Sequence, residues 1–185
     1  RKTPLKLQFT KMEGTGNDYI YFDCMQYEIP SPESISVILS DRHFSIGSDG
    51  IILILPSSTA DAKMRIFNRD GTEGKMCGNG IRCVAKYLYE HNIVRKNRMT
   101  IETLSGVRQL HLYIQNDNVI SVAVNMGKAI LDPAQIPVKL EGDVIANRPI
   151  DVDGAEYNIT CVSMGNPHCV TFMDNVDTLD IAKVG

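Results

Sequence analysis

The chain has 185 residues, 43% hydrophobic and 22% charged, the balance of a folded globular protein and not of a disordered one. Its 19 Lys and Arg against 22 Asp and Glu give a formal net charge of −3, which argues against binding nucleic acid through a basic surface. The longest aliphatic run, Ile51 to Leu55, is far too short for a membrane helix, and no basic-then-apolar leader opens the chain, so neither a membrane nor a secreted protein is expected. Five cysteines, at 24, 77, 83, 161 and 169, show no framework spacing. They read as reduced thiols in a cytosolic protein.

In chain order, the opening KLQFTKM alternates Leu5, Leu7 and Phe9 with polar residues, the period of a half-buried strand. The turn-rich Glu13 to Asp18 interrupts it, and Tyr19 to Asp23 reads as a second strand. Ser31 and Pro32 look like an N-cap followed by proline at the first helical position, with Ile35, Ile38 and Leu39 as an apolar stripe ending near Arg42. Ile51 to Leu55 and Ala62 to Asn68 are the next expected strands. Asp70, Gly71 and Gly74 are expected to keep the backbone irregular up to Gly80. From there Ile81, Val84, Ala85 and Leu88 follow helical spacing to about His91. Met99 to Thr103, Val107 to Ile114 and Val119 to Met126 read as strands, separated by short polar turns. A boundary is expected near Met126 and Gly127, dividing the chain into 1–126 and 127–185. The latter stretch, of roughly 60 residues, is marginal for an independent core. Within it, Asp153-Gly154 flanked by Ile150/Val152 and Tyr157/Ile159 signals a hairpin, and strands Tyr157 to Ser163 and Cys169 to Phe172 bracket the MGNPH segment.

Two loops carry chemistry. Cys77 lies in a glycine-bounded loop at the mouth of the predicted helix, where unpaired N–H groups and a partial positive charge lower a cysteine pKa and bind carboxylates. The spacing is equally compatible with a small residue in a tight turn. Cys83 reads as core packing. In SMGNPHC, Asn166 and His168 sit in a Gly/Pro-shaped loop where polar side chains can face a ligand. His168 taken alone also reads as a structural histidine, and Cys169 as packing in the following strand. Gly14-Thr15-Gly16 lacks the rest of a dinucleotide fingerprint, and no P-loop, zinc spacing or GxSxG elbow occurs.

The ordered set GTGNDY, DRHFSIGSDG, RIFNRDGTEGKMCGNGIRC and SMGNPHC resembles the diaminopimelate epimerase family, from about Phe9 to Asp174. Proline racemase-type relatives usually read CGH where this chain has Cys77-Gly78-Asn79, and the phenazine-biosynthesis branch lacks this cysteine. The resemblance implies an α+β fold of two pseudo-symmetric domains, each a curved, antiparallel-rich sheet wrapped around a central helix. It makes 1–126 the N-terminal epimerase domain with the first catalytic cysteine, and 127–185 an incomplete start of the second. It also implies an isomerase of the cytoplasm that needs neither metal nor pyridoxal phosphate and interconverts LL- and meso-2,6-diaminopimelate, a precursor of lysine and of bacterial peptidoglycan. In that picture Cys77 is one of two thiols working on opposite faces of the α-carbon. Asn17, Asn68 and Asn166 are substrate-binding amides, Gly78 and Asn79 hold the α-carboxylate, and His168 adjusts the thiol pKa values. The partner is a small-molecule substrate, without nucleic acid or membrane, and homodimerisation stays open.

Two departures bear on this. Some members carry Gln where this chain has Gly50, which loosens one substrate contact. The second catalytic cysteine of the family lies in a later ACGTG-like loop, preceded by a Glu-Arg-Gly segment, and neither occurs within these 185 residues. They are therefore expected to be inactive by themselves. A related racemase of another amino acid and a non-catalytic amino-acid-binding module are the alternatives.

Overall fold

A computed structural model describes residues 6–184, which divide into two compact units with the division between Met126 and Gly127. In the first unit, strands β1 (Thr10–Gly14), β2 (Asn17–Asp23), β3 (Gly50–Leu55), β4 (Ala62–Asn68), β5 (Glu73–Gly74), β6 (Arg98–Thr103), β7 (Gly106–Gln115) and β8 (Asn118–Val124) form one sheet. Their spatial order is β1-β2-β3-β4-β6-β7-β8, with β5 beside β4. The pairs β2–β3 and β4–β6 are parallel and the rest antiparallel. Helix α1 (Pro32–Leu39) bridges β2 and β3, and α2 (Gly78–Glu90) follows β5. Strands from both ends of the order, β1 and β8, pack on α2, so the sheet curls round that helix.

Alternation explains the arrangement. Tyr19, Tyr21, Ile52, Ile54, Met64 and Ile66 face inward and meet Ile81, Val84, Ala85 and Leu88 of α2. The alternate residues Ile20, Phe22, Ile51, Leu53 and Phe67 face outward under Ile35 and Leu39 of α1. Both faces of β2 and β3 are therefore buried, which accounts for the unbroken apolar run at Ile51 to Leu55. On the β8 edge, Glu90 accepts from the Val119 N–H at 3.0 Å and Lys86 donates to the Val119 carbonyl at 3.0 Å. Two helix side chains thus satisfy backbone groups that a neighbouring strand would otherwise take.

In the second unit, β9 (Arg148–Val152), β10 (Ala155–Ser163) and β11 (Pro167–Thr171) make an antiparallel sheet in the order β11-β10-β9. Ile136, Ile145, Ile159 and Cys161 form its small core. The Asp153-Gly154 turn has both residues at positive φ, 53° and 82°, as a two-residue hairpin requires. Among the described residues no helix is long and apolar enough to cross a membrane.

Several sequence expectations need correction. Leu5 lies outside the described residues. Leu7 and Phe9 precede β1, which starts only at Thr10, and Phe9 is largely exposed. The Glu13 to Asp18 turn contracts to Thr15 and Gly16 because β1 and β2 pair up to Gly14 and Asn17. Ser31 precedes α1 in a left-handed conformation without a side-chain cap, and Ile38 points to solvent, so the buried stripe is Ile35 and Leu39 with Ser36. The stretch before α2 holds strand β5, and the helix opens at Gly78, not Gly80. Cys169 is exposed and does not pack in a core.

Gly50 sets the tightest backbone approach, since a Cβ there would lie 2.1 Å from the Phe67 carbonyl oxygen. A residue with a side chain has no room on this backbone. Gly50→Ala should cost about 3 kcal/mol, the upper end of overpacking penalties because the obstacle is backbone. Urea unfolding measures it, and a loss below about 1 kcal/mol would show that the β3–β4 pair relaxes freely.

Candidate active site

The parallel pairing of β2 with β3 and the antiparallel pairing of β3 with β4 bring three chain positions to one end of the sheet: Asn17 at the start of β2, Asp49 and Gly50 at the start of β3, and Asn68 at the end of β4. Helix α2 opens at that same end. Gly14, paired with Asn17, would carry a Cβ only 3.0 Å from the Asn79 carbonyl oxygen. Cys77 is the residue before the helix, in an extended conformation that turns its sulfur back over the first turn. Its Sγ accepts from the Gly80 N–H at 3.3 Å and donates to the Asn17 Oδ1 at 3.6 Å. Position 80 tolerates no larger residue without movement, since a Cβ would come within 2.6 Å of Ile52 Cδ1 and 3.5 Å of Cys77 Sγ. The helix leaves the N–H groups of Gly78 and Asn79 without intrahelical acceptors, the arrangement that receives a carboxylate.

The surroundings of the thiol are built in layers. Asn17 Nδ2 donates to Asp49 Oδ2 at 2.7 Å. Arg42 bridges the two acids, reaching Asp49 Oδ1 at 3.0 Å and both oxygens of Asp18 at 2.6 and 3.1 Å. Lys11 adds an ion pair to Asp18 at 3.0 Å. Tyr19 is buried with its hydroxyl interacting with Cys77 and Asn17, and burial first, then the neighbouring thiol, push it above the ordinary tyrosine range. Arg82 ties the β1–β2 turn to the helix, donating to Thr15 Oγ1 at 3.0 Å, Asn79 Oδ1 at 2.8 Å and the Gly78 carbonyl at 3.1 Å. Asn68 donates to Thr72 Oγ1 at 2.9 Å, which leaves its own carbonyl available.

The other thiols are unlike Cys77. Cys24 is buried in the outer core, where desolvation pushes its thiol up to about 11. Cys83 is buried against the Glu13 carbonyl at 3.4 Å, and burial raises it too. Cys161 belongs to the core of the second unit and is likewise raised by desolvation. Asn166 and His168 lie in that unit, exposed on and beside the turn from β10 to β11, with His168 opposite Val162. Among the described residues no three His, Cys, Asp or Glu side chains assemble as a metal site would need. Sequence reasoning had not singled out Tyr19, Arg42 or Asp49. Their one signal was charge and aromaticity inside the motifs GTGNDY and DRHFSIGSDG.

Residues 9–131 match the family model described as diaminopimelate epimerase. The chain is 51% identical over 185 residues to the diaminopimelate epimerase of Desulfovibrio desulfuricans and 50% identical over 179 residues to that of Methanococcus maripaludis, covering 97% of this chain in each case. It spans 64% and 65% of the lengths of those two relatives. Among solved structures, a probable proline racemase from Agrobacterium radiobacter superimposes with a TM-score of 0.66 at 15% identity, over 94% of this chain and 54% of that one, a likeness of fold.

The charged layer predicts an acid sensitivity. The Arg42 hydrogen bond is the main reason the Asp18 carboxyl sits at about 2 and not at 3.8. A depressed folded-state value stabilises fully above the unfolded value and loses that contribution as pH falls through the folded one. Arg42 is half exposed, so screening keeps the pair's contribution small. Arg42→Ala should destabilise modestly at pH 7, and the gap to wild type should shrink from about pH 4 towards about pH 2 in urea unfolding. A gap that stays constant with pH would assign the loss to packing.

Proposed function

The chain belongs to the diaminopimelate epimerase family, and from that premise we propose that it carries the Cys77 half of a cofactor-independent epimerase interconverting LL- and meso-2,6-diaminopimelate. The observation that carries this reading is the thiol of Cys77 at the open end of α2, held between the Gly80 N–H and the Asn17 carbonyl. Binding alone needs no thiol there.

Inverting the α-carbon requires a proton to leave one face and another to arrive on the opposite face. One sulfur, as thiolate, takes the first proton and the other, as thiol, supplies the second. We assign Cys77 one of these tasks. Helix N–H groups at Gly78 and Asn79 would hold the substrate α-carboxylate and steady the negative charge that develops on deprotonation. Asn17 and Asn68 offer the donor and acceptor that a zwitterionic amino acid needs. Asn166 is assigned a substrate contact and His168 the adjustment of thiol protonation, on the motif match. Cys24, Cys83 and Cys161 are not proposed as the second thiol, because burial in hydrophobic cores disfavours their thiolates and hides them from substrate.

In the full-length protein, Cys77→Ala should lower kcat by about 10³-fold or more and abolish α-proton exchange into deuterated water, whereas Cys77→Ser should retain some exchange through the other thiol. Chiral chromatography of the LL and meso isomers reads the first and mass spectrometry the second. Near wild-type epimerisation by Cys77→Ala would overturn the proposal. For the second unit, Asn166→Ala should raise KM and His168→Ala should displace the pH–rate profile. Unchanged kinetics for both would return that loop to a structural role.

A further inference from the structure

We infer that Asp49 is a positioning residue for Cys77, holding the Asn17 amide so that its carbonyl, and not its N–H, faces the thiol. The inference rests on the reading of Cys77 as an acid–base group. It starts from a constraint of donor and acceptor types. A carboxylate only accepts hydrogen bonds, so the Asn17 atom 2.7 Å from Asp49 Oδ2 has to be the amide nitrogen. The planar amide then presents Oδ1 on its other side, 3.6 Å from Cys77 Sγ. A carbonyl oxygen cannot donate. It accepts the S–H proton and disfavours a thiolate.

Asp49 cannot swing away to let the amide turn over. Its Oδ1 takes Arg42 at 3.0 Å and its Oδ2 also takes the Asp18 N–H at 3.2 Å. Its backbone is pinned at both ends, donating to the Asp18 carbonyl at 2.8 Å and accepting from the Arg69 N–H at 2.9 Å. With the amide so fixed, the Cys77 sulfur meets the Asn17 carbonyl as its acceptor, with the Gly80 N–H at 3.3 Å and the Tyr19 hydroxyl as donors. The carbonyl is the contact that suits the S–H. Turning the amide would replace that acceptor with a further donor and favour the thiolate.

The consequence concerns the proton-donor step: with Asn17 accepting the S–H, that proton passes to the substrate α-carbanion and the S–H electron pair stays on sulfur as the thiolate, which is the base of the reverse direction. The remaining titratable groups near the sulfur do not replace this control. Tyr19 is buried, and its hydroxyl contacts the sulfur independently of the Asn17 amide, while Cys83 is buried against the Glu13 carbonyl. Asp18, Arg42 and Lys11 stand behind Asp49 and do not reach the thiol, while Tyr21 lies on the far side of Gly80, its hydroxyl 3.5 Å from that carbonyl.

Alkylation of Cys77 by iodoacetamide, followed by mass spectrometry of its peptide across a pH series, tests the idea without relying on turnover. The full-length wild type, Asn17→Ala, Asp49→Ala and the double variant form a cycle. Asp49→Ala should move the half-maximal alkylation pH down by about half a unit or more when Asn17 is present, and leave it in place when Asn17 is already alanine. A loosened structure would instead raise the rate at every pH without moving the midpoint. A displacement that persists in the Asn17→Ala background would mean that Asp49 acts through its charge alone, and the inference would fall. If Asp49→Ala does not fold, Asp49→Asn completes the same cycle by the same criterion. Turnover of Cys77→Ala, measured alongside, separates the outcomes: an active Cys77→Ala removes the functional reading, whereas an inactive one with no Asp49 effect removes only this inference.

Discussion

Burial of the apolar face of α2 inside the curled sheet is the constraint on which the first unit depends. Ile81, Val84 and Leu88 are fully buried against residues drawn from β2, β3, β4, β6, β7 and β8. A helix enclosed by so many strands has little freedom to slide, and its N-terminus is thereby placed at one end of the sheet. The N-terminal end of the helix inherits its position from this hydrophobic core, against which Cys77 itself packs. Removing core volume would therefore be felt at the sulfur as well as in stability.

Glycines make that placement exact enough for chemistry. Gly80 lets the first turn close on Ile52 and brings its own N–H to the Cys77 sulfur. Gly14 lets β1 run against the Asn79 carbonyl, and Gly50 lets β3 cross under Phe67. A methyl group would press on backbone at Gly14 and Gly50 and on the Ile52 side chain at Gly80. Around this frame Arg42, Asp18, Asp49 and Lys11 supply a charged outer layer whose contribution to stability is modest because Arg42 and Lys11 are substantially exposed. The layer matters more for direction than for strength: it decides which atom of Asn17 meets the thiol.

Much of this was legible in the residues. Apolar runs bounded by turn residues located β2, β4, β6, β7 and β8 to within a residue or two, and helical spacing from Ile81 to Leu88 identified α2. Cys77 stood out because a cysteine between glycines at a helix mouth has a specific electrostatic setting. The opening strand forms but starts later than read, at Thr10, because the alternation at Leu7 and Phe9 lies in a segment before the pairing with β2 begins, and Phe9 is exposed. Cys169 failed because its place in a strand says nothing about what covers that face, and β11 is an edge strand in the described sheet.

The sequence by itself determined many strands around one apolar helix and the place of Cys77 at the helix mouth, because these depend on local periodicity and on residue chemistry at short spacing, whereas Asn17 and Asn68 entered only through the resemblance of the family motifs. Only the tertiary structure decided that Asn17, Asp49, Asn68 and Cys77, spread over 60 positions, share one end of a sheet. It alone also decided which face of the Asn17 amide the sulfur meets. The physical reason is that both outcomes follow from strand pairing and donor–acceptor matching between distant segments, and neither leaves a trace in the spacing of neighbouring residues.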